Sequence, residues 1–422
     1  MAIYTDLIHD RHFATHPAEA ARTGERLKAL RAQLARDVPP KSARDTLLIA
    51  TWNIRDFGRD KFGHGRRLRE SYHYMAEIIS AFDIVALQEI GGDPEEFRRL
   101  ERLLGPTWDY MLTDLTEGVG GNGERMAFVF DRRRVFFRNI AGEIVLPDSS
   151  EIGGFAEEVA LPEGTRLREA GETRAVAEDA ELLLPDGQRL VKRRQFARTP
   201  FLAAFQAGWF KFNLCTVHLY FGNDSGVKFE RRLQEIRAIG DFFRKRQEKE
   251  EEQLGDIENY ILLGDFNIVG HEDETMAALL DTGFLIPEAL HGNPTNMLGT
   301  RFYDQIAFRT KTDQLKLGEI HGHKSAGVFS FFNSVFRASA ADGSPSAIAA
   351  TESDFDAYRD RFPAEQTADL ETDADRREYY WRQWRTWQMS DHLPMWVALK
   401  TDFADAYLDR VIETATERLA ET

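Results

Sequence analysis

Two short runs constrain this chain more than any other feature. Leu47-Leu48-Ile49-Ala50-Thr51-Trp52-Asn53 and Asp83-Ile84-Val85-Ala86-Leu87-Gln88-Glu89 are apolar at nearly every position. Runs of that length and composition read as buried strands. Each ends on a residue able to carry chemistry, Asn53 in the first and Glu89 in the second. Strand ends hold a side chain on a rigid scaffold while leaving its tip open, which suits an active site.

The surrounding pattern alternates helix and strand. Leu27, Leu30 and Leu34 form a stripe between charged positions, which predicts a helix over 17–37 that ends at Pro39-Pro40. A second helix is expected over 65–80, and a long charged one over 226–253 with Leu233, Ile236, Ile239 and Phe243 facing inward. Further strands are expected within 126–138, 200–219, 260–267, 302–308 and 392–400. Residues 140–195 are rich in Gly, Glu and Pro and carry the turn signal Pro185-Asp186-Gly187, so they read as an acidic, hairpin-bearing insertion. In 341–378 acidic residues outnumber basic ones 11 to 4, which suggests a surface excursion that is partly mobile. An amphipathic helix is expected over 403–420, with Leu408, Val411, Ala415 and Leu419 on one face. This divides the chain into an N-terminal helical extension (1–45), a main domain (46–400) with insertions near 140–195 and 320–389, and a C-terminal helix (401–422).

Composition narrows the setting. The net charge is −16, so the chain as a whole repels polyanions, and any binding of nucleic acid needs a local basic groove or a bound metal. The single cysteine, Cys215, excludes an intrachain disulfide and fits a reducing compartment. The first residues lack a basic segment followed by an apolar one, and no window reaches membrane-spanning length. A soluble, cytoplasmic protein with no obligate protein partner is expected.

Five strand-end motifs follow in order: Thr51-Trp52-Asn53, Leu87-Gln88-Glu89, Thr216-Val217-His218, Gly264-Asp265-Phe266-Asn267 and Ser390-Asp391-His392. Each alone is weak, because a single Asp or His at a strand end is more often a capping residue than a catalyst. Together, in this order, they closely resemble the endonuclease/exonuclease/phosphatase superfamily. The continuation Asn53-Ile54-Arg55-Asp56-Phe57-Gly58 is similar to its deoxyribonuclease I branch, as are Asn122-Gly123-Glu124-Arg125, Phe196-Ala197-Arg198-Thr199-Pro200 and Tyr303-Asp304-Gln305-Ile306. The resemblance implies an α/β fold, a four-layered sandwich of two packed mixed β-sheets flanked by helices. It also implies a metal-dependent phosphodiester hydrolase.

Hydrolysing a phosphodiester requires charge neutralisation, an activated water and protonation of a leaving alkoxide. Magnesium favours oxygen ligands, and manganese can replace it. Glu89 is the best direct ligand, with Asn53 beside it and Asp391 binding directly or through water. The resemblance implies that Asp265 orients or deprotonates the attacking water and that Asn267 holds the phosphate or nucleophile. His218 and His392 are then donors on either side of the phosphoryl oxygens, with Glu124 and Asp304 as their carboxylate partners. Arg55 and Arg198 are expected to contact phosphate.

Gly91 stands where deoxyribonuclease I itself places a DNA-contacting arginine, and the two large insertions have no counterpart there. The chemistry is thus read more firmly than the substrate. A nuclease acting on DNA or RNA leads. A phosphatase or phosphodiesterase of a small or lipid-linked substrate, such as a phosphoinositide or sphingomyelin, is the alternative. A non-catalytic binding module on the same fold is the third reading. Finally, Trp381, Trp384 and Trp387 recur every third residue before Ser390. They read first as a core-packing helix, and second as stacking platforms bordering the cleft.

Overall fold

The computed structural model describes residues 2–42, 46–116, 123–146, 195–254, 258–310, 317 and 322–420, together with the backbone of four short strands between 166 and 190. Strands β1 (Thr46–Phe57), β2 (Ile84–Ile90), β3 (Trp108–Leu112) and β4 (Arg125–Asp131) come first, followed by β5 (Phe136–Glu143). Two antiparallel hairpins, β6–β7 (Arg166–Glu169 with Glu172–Ala175) and β8–β9 (Leu182–Leu183 with Arg189–Leu190), occupy the expected insertion, the rest of which lies outside the described residues. Then come β10 (Phe201–Ala207), β11 (Phe210–His218), β12 (Tyr260–Asp265), β13 (Asp304–Arg309), β14 (Ala326–Val328) and β15 (Met395–Lys400).

The strands form a six-stranded sheet in the order β14-β15-β1-β2-β4-β3 and a five-stranded sheet in the order β13-β12-β11-β10-β5. Both are mixed. In the first, β1 runs parallel to β2 and antiparallel to β15; in the second, β11 runs parallel to β12 and antiparallel to β10. Side chains alternate across a strand, and here both faces are covered. Leu47 and Ile49 of β1, Ile84 and Ala86 of β2, and Met126, Phe128 and Phe130 of β4 belong to the core that holds the second sheet. Their neighbours Leu48, Ala50, Trp52 and Ile54, Val85 and Leu87, and Ala127 and Val129 belong to a second core under the helices. That is why β1 and β2 read as nearly unbroken apolar runs.

Helices cover the outer faces. The Val227–Leu254 helix buries Leu233, Ile236, Ile239 and Phe243 in the core of the five-stranded sheet. The Arg69–Ser80 helix is buried almost throughout, because the Pro17–Asp37 helix and the chain from Phe329 to Trp384 share its hydrophobic cluster. Leu27, Leu30 and Leu34 therefore pack into this cluster. Glu70, fully buried, fastens this layer by accepting hydrogen bonds from Arg22 (2.7 Å), Tyr74 (3.0 Å) and Tyr358 (3.1 Å).

The structure corrects two expectations. Residues 341–378 are not a loose excursion: Phe355 and Tyr358 are fully buried, and Arg377 donates to the buried Asp342 at 2.7 Å. The acidic composition masked a few aromatic anchors that fix the segment. The apolar run 328–336 packs into the core around a single 3-10 turn (Phe331–Asn333), and Phe336 beyond it adopts a φ of +45°. The C-terminal helix, Ala404–Ala420, forms, yet Leu408, Val411, Ile412 and Leu419 remain exposed. Its amphipathic pattern predicts a buried face that the described residues do not supply.

The tryptophan triplet lies in the core. Trp381, Trp384 and Trp387 are at most 2% exposed, and Tyr380–Trp384 forms a π-helical turn. Trp384 packs against Phe336, Tyr358 and Phe362. Burial removes the stacking reading. We expect Trp384→Ala to cost about 3–5 kcal/mol of stability, as large-to-small core substitutions of this size do. Chemical denaturation measures this, and a near-native midpoint would contradict the packing described.

Candidate active site

Local irregularities in β1 and β2 build the site. Across the β1–β2 pair, Asn53 lies opposite Gln88 and Phe57 opposite Ile90, so three residues of β1 face Glu89 alone. The β2–β4 register shifts over the same stretch. Such bulges re-aim side chains beside active sites. Three residues here, Asp56 (φ +42°), Glu89 (φ +62°) and Asn267 (φ +55°), adopt the left-handed conformation that non-glycine residues avoid. Gly264 (φ +133°) precedes Asp265, and a Cβ on it would lie 2.1 Å from the Val217 carbonyl oxygen. Only glycine lets β12 pass β11 this closely.

Polar side chains from both sheets meet at this end. Asn53 Nδ2 donates to Glu89 Oε1 (2.8 Å) and to Asp265 Oδ2 (3.0 Å), joining β1, β2 and β12. One layer deeper, Gln88 Nε2 donates to Thr216 Oγ1 (2.8 Å) and ties β2 to β11. His218 Nε2 lies 3.7 Å from Asp265 Oδ2, and His392 Nε2 lies 3.9 Å from the same oxygen. The two rings thus converge on one carboxylate. Behind each ring stands a buried acid. His392 Nδ1 donates to Asp304 Oδ2 at 2.8 Å. His218 Nδ1 lies 3.1 Å from Glu124 Oε2, at ion-pair distance though not in hydrogen-bond alignment. The backbone N–H of Asn267 donates to Asp265 Oδ1 (2.9 Å), and its side-chain amide donates to the Leu219 carbonyl (2.8 Å).

Three residues sit differently from their expected roles. Arg198 is buried: its Nε donates to Glu124 Oε2 at 2.7 Å, and it points toward the carbonyls of His218 and Leu219. It holds Glu124 rather than presenting its charge to solvent. Arg55 is half-buried and donates to Thr386 Oγ1 at 2.7 Å. Asp391 is half-buried and stands beside His392, but it belongs to neither carboxylate–histidine cluster of the described residues.

Sequence reading assigned no role to several supporting residues, most of which stand within its motifs. Ser390 donates to the Asn53 carbonyl (2.7 Å) and accepts from the His392 N–H (3.0 Å), which locks the last motif onto the first. Trp52 Nε1 donates to the His392 carbonyl (3.0 Å). Tyr303 stacks on the His392 ring at 5.5 Å. Arg67 donates to the Arg55 and Asp56 carbonyls and fixes the bulge. Asp56 itself lies among Glu89 and Glu124, their carboxylate oxygens within 4.8 Å of one another. Its position beside the Asn53 motif was the only available signal.

Charges reinforce the geometry. Burial opposes a charge on His392, but Asp304 and Asp265 outweigh it and hold the ring pKa well above the ordinary histidine value. Burial also opposes charge on Asp265, yet His392, His218 and the hydrogen bonds from Asn53 and Asn267 lower its pKa. For Glu124 the same contest is won by the His218 contact and by Arg198, which bring it down to about 2. Burial and the neighbouring Glu89 raise Asp56.

The donor set fits a hard divalent cation. Glu89 offers a partly exposed carboxylate, and Asn53 Oδ1 beside it is buried without a hydrogen-bond partner. Oxygen donors of this kind suit magnesium or manganese.

The sequence profile of the Endonuclease/Exonuclease/phosphatase family matches residues 50–395, from β1 to β15. The chain belongs to that family. It is accordingly a hydrolase of phosphoester bonds on a deoxyribonuclease I-like fold, in a divalent-metal-dependent family. Similar solved structures include an endonuclease/exonuclease/phosphatase family protein from Bacteroides thetaiotaomicron, 15% identical, with a TM-score of 0.45 over 85% of this chain and 95% of that one. Humanized D. rerio TDP2 is 12% identical, with a TM-score of 0.42 over 85% and 99%. The mannosyl-6-phosphatase Bt3783 of B. thetaiotaomicron is 16% identical, with a TM-score of 0.38 over 62% and 85%. No curated protein matches the chain in sequence.

The Glu124 pair has a measurable pH signature. Its folded pKa is about 2 against an ordinary 4.5, so its stabilising contribution is complete above 4.5 and is lost as the pH falls toward 2. Glu124→Gln should lower stability at neutral pH and flatten the stability profile in that acid window, read from urea midpoints. An unchanged acid slope would show that Glu124 is not held by His218 and Arg198.

Proposed function

We propose that this protein cleaves phosphodiester bonds of nucleic acid by in-line attack of water, with magnesium, or manganese in its place, held by Glu89 and Asn53 and assisted by Asp391. The observation that carries this reading is the convergence of two histidines, each backed by a buried carboxylate, on one oxygen of Asp265. A bound cation would neutralise charge on a phosphoryl oxygen. The chain's own groups supply the rest. Asp265, with its lowered pKa, is a weak base suited to orienting the attacking water. The backbone hydrogen bond from Asn267 fixes that carboxylate, and Asn267 in turn borders the nucleophile. His392, charged at neutral pH, and His218 donate through Nε2 to the phosphoryl oxygens as negative charge accumulates.

A polymeric substrate with exposed rings is favoured over a small phosphate ester by the aromatics near the site. Phe62 is exposed and carries the Arg55 guanidinium 5.2 Å above its ring. Phe221 is exposed and packs edge-on against Tyr303, which stacks on His392. Bases of a single strand stack on such rings while arginine attends the adjacent phosphate. The family also serves phosphatases, so hydrolysis of a small or lipid-linked phosphate is the second reading. The non-catalytic reading is disfavoured because every motif retains its polar residue. No helix among the described residues is long and apolar enough to cross a membrane. The buried free thiol of Cys215 is consistent with the cytoplasmic setting proposed.

An assay panel of plasmid, single-stranded DNA, RNA and inositol phosphates should give cleavage of a nucleic acid that EDTA abolishes and magnesium or manganese restores. Full activity in EDTA would exclude the metal, and turnover of inositol phosphates alone would select the second reading. Asp265→Asn and His392→Ala should each lower turnover by about 10²–10⁴ with the fold retained. A near-native rate from either variant would refute the role of that residue. The chain carries −16 overall, so attraction for single-stranded substrate must come from local cationic groups such as Arg55 and from the metal, and affinity should therefore fall as salt rises.

A further inference from the structure

We propose that Asp56 is a ligand of the divalent cation at Glu89, so that the metal is gripped by two carboxylates from the two sides of the β1–β2 bulge. This rests on the reading of Glu89 as a cation ligand. The first observation is placement. One carboxylate oxygen from each of Asp56, Glu89 and Glu124 lies within 4.8 Å of the others, and the Asp56 N–H donates to Glu89 Oε2 at 2.8 Å. The second is partnership. Glu124 is neutralised by Arg198 at 2.7 Å and faces His218 at 3.1 Å. Glu89 accepts hydrogen bonds from Asn53 and Asp56 and lies 3.8 Å from His218 Nε2. The Asp56 side chain is 4% exposed, and among the described residues no hydrogen bond or ion pair reaches its carboxylate. A carboxylate held this way beside another carboxylate is stabilised by a shared cation, and otherwise by taking up a proton.

The backbone sharpens the point. Residue 56 has a φ of +42° and is pinned by Arg67, which donates to its carbonyl oxygen. Glycine satisfies that conformation best, and asparagine tolerates it as well as aspartate does. Either would fill the position without repelling Glu89. Local geometry therefore does not call for a negative charge here, whereas a shared cation does.

The test compares wild type with Asp56→Asn, Asp56→Gly and Glu89→Gln, all as the full chain. Mn²⁺ binding is read by calorimetry, and melting temperature is read with EDTA and with Mn²⁺. Asn and Gly both suit the left-handed backbone and retain the N–H to Glu89, so the fold should persist. We expect both Asp56 variants to weaken Mn²⁺ binding by at least about 10-fold, the lower end of what removing even an outer-sphere partner does. They should also melt at or above the wild-type temperature in EDTA, because a carboxylate repulsion is gone, and gain less than wild type from Mn²⁺. Wild-type Mn²⁺ affinity in both Asp56 variants, with binding lost in Glu89→Gln, would overturn the role of Asp56 and leave the proposed function standing. Wild-type affinity in all three would overturn the cation site at Glu89 as well.

Discussion

Two sheets packed face to face leave a seam between them, and the composition of that seam governs the molecule. Through most of its depth it is apolar, with Leu47, Ile49, Ile84, Ala86, Phe128, Phe205 and Phe212 in one continuous core. At one end the same inward-facing positions turn polar. Gln88 reaches across to Thr216, and Asn53 reaches across to Asp265. Buried amides and carboxylates are tolerated only when paired, so these cross-sheet hydrogen bonds fix how β2 meets β11 and how β1 meets β12. The rigidity of the apolar seam is what makes the polar end a site rather than a loose cluster.

The site concentrates opposing charges where neither could stand alone. Asp265 is buried, and two imidazoles less than 4 Å away make its ionised form favourable. His392 is buried too, and Asp304 and Asp265 keep it charged. Each group supplies the field that its neighbour needs, which is how a buried site can hold both a carboxylate and a hydrogen-bond donor ready at neutral pH. The acid side of the site is less balanced. Among the described residues neither Glu89 nor Asp56 forms an ion pair with a lysine or arginine, and that asymmetry is what the proposed cation would offset.

Outside the sheets, the segment between β14 and β15 is a structural layer rather than an ornament. Its aromatics Phe336, Phe355, Tyr358, Tyr380 and Trp384 join the core beneath the Arg69–Ser80 helix. Its last turn delivers Thr386 to Arg55 and Ser390 to Asn53. The segment thus sets the position of the first and last motifs relative to each other. In contrast, the Ala404–Ala420 helix beyond β15 meets the body at Tyr407, whose ring lies 6.0 Å from that of Trp209, and none of its described residues belongs to the candidate site.

The strand runs were legible in the sequence because both faces of β1 and β2 are covered, leaving no polar alternation to confuse them. The five strand-end motifs were legible because their chemistry needs particular residue types at the ends of rigid elements. What the sequence alone determined, then, was the layered architecture and the inventory of candidate groups. Their assembly was decided by the tertiary structure. Asn53 and Asp265 are 212 residues apart, and no local pattern reports that β1 and β12 face each other across the seam. Nor does any pattern reveal that Arg198 is buried against Glu124, that the tryptophans lie in the core, or that Asp56 turns toward Glu89. Those outcomes depend on which face of an element meets another element and on the left-handed turns at Asp56 and Glu89. Both are properties of packing between distant segments, which periodicity within one segment does not encode.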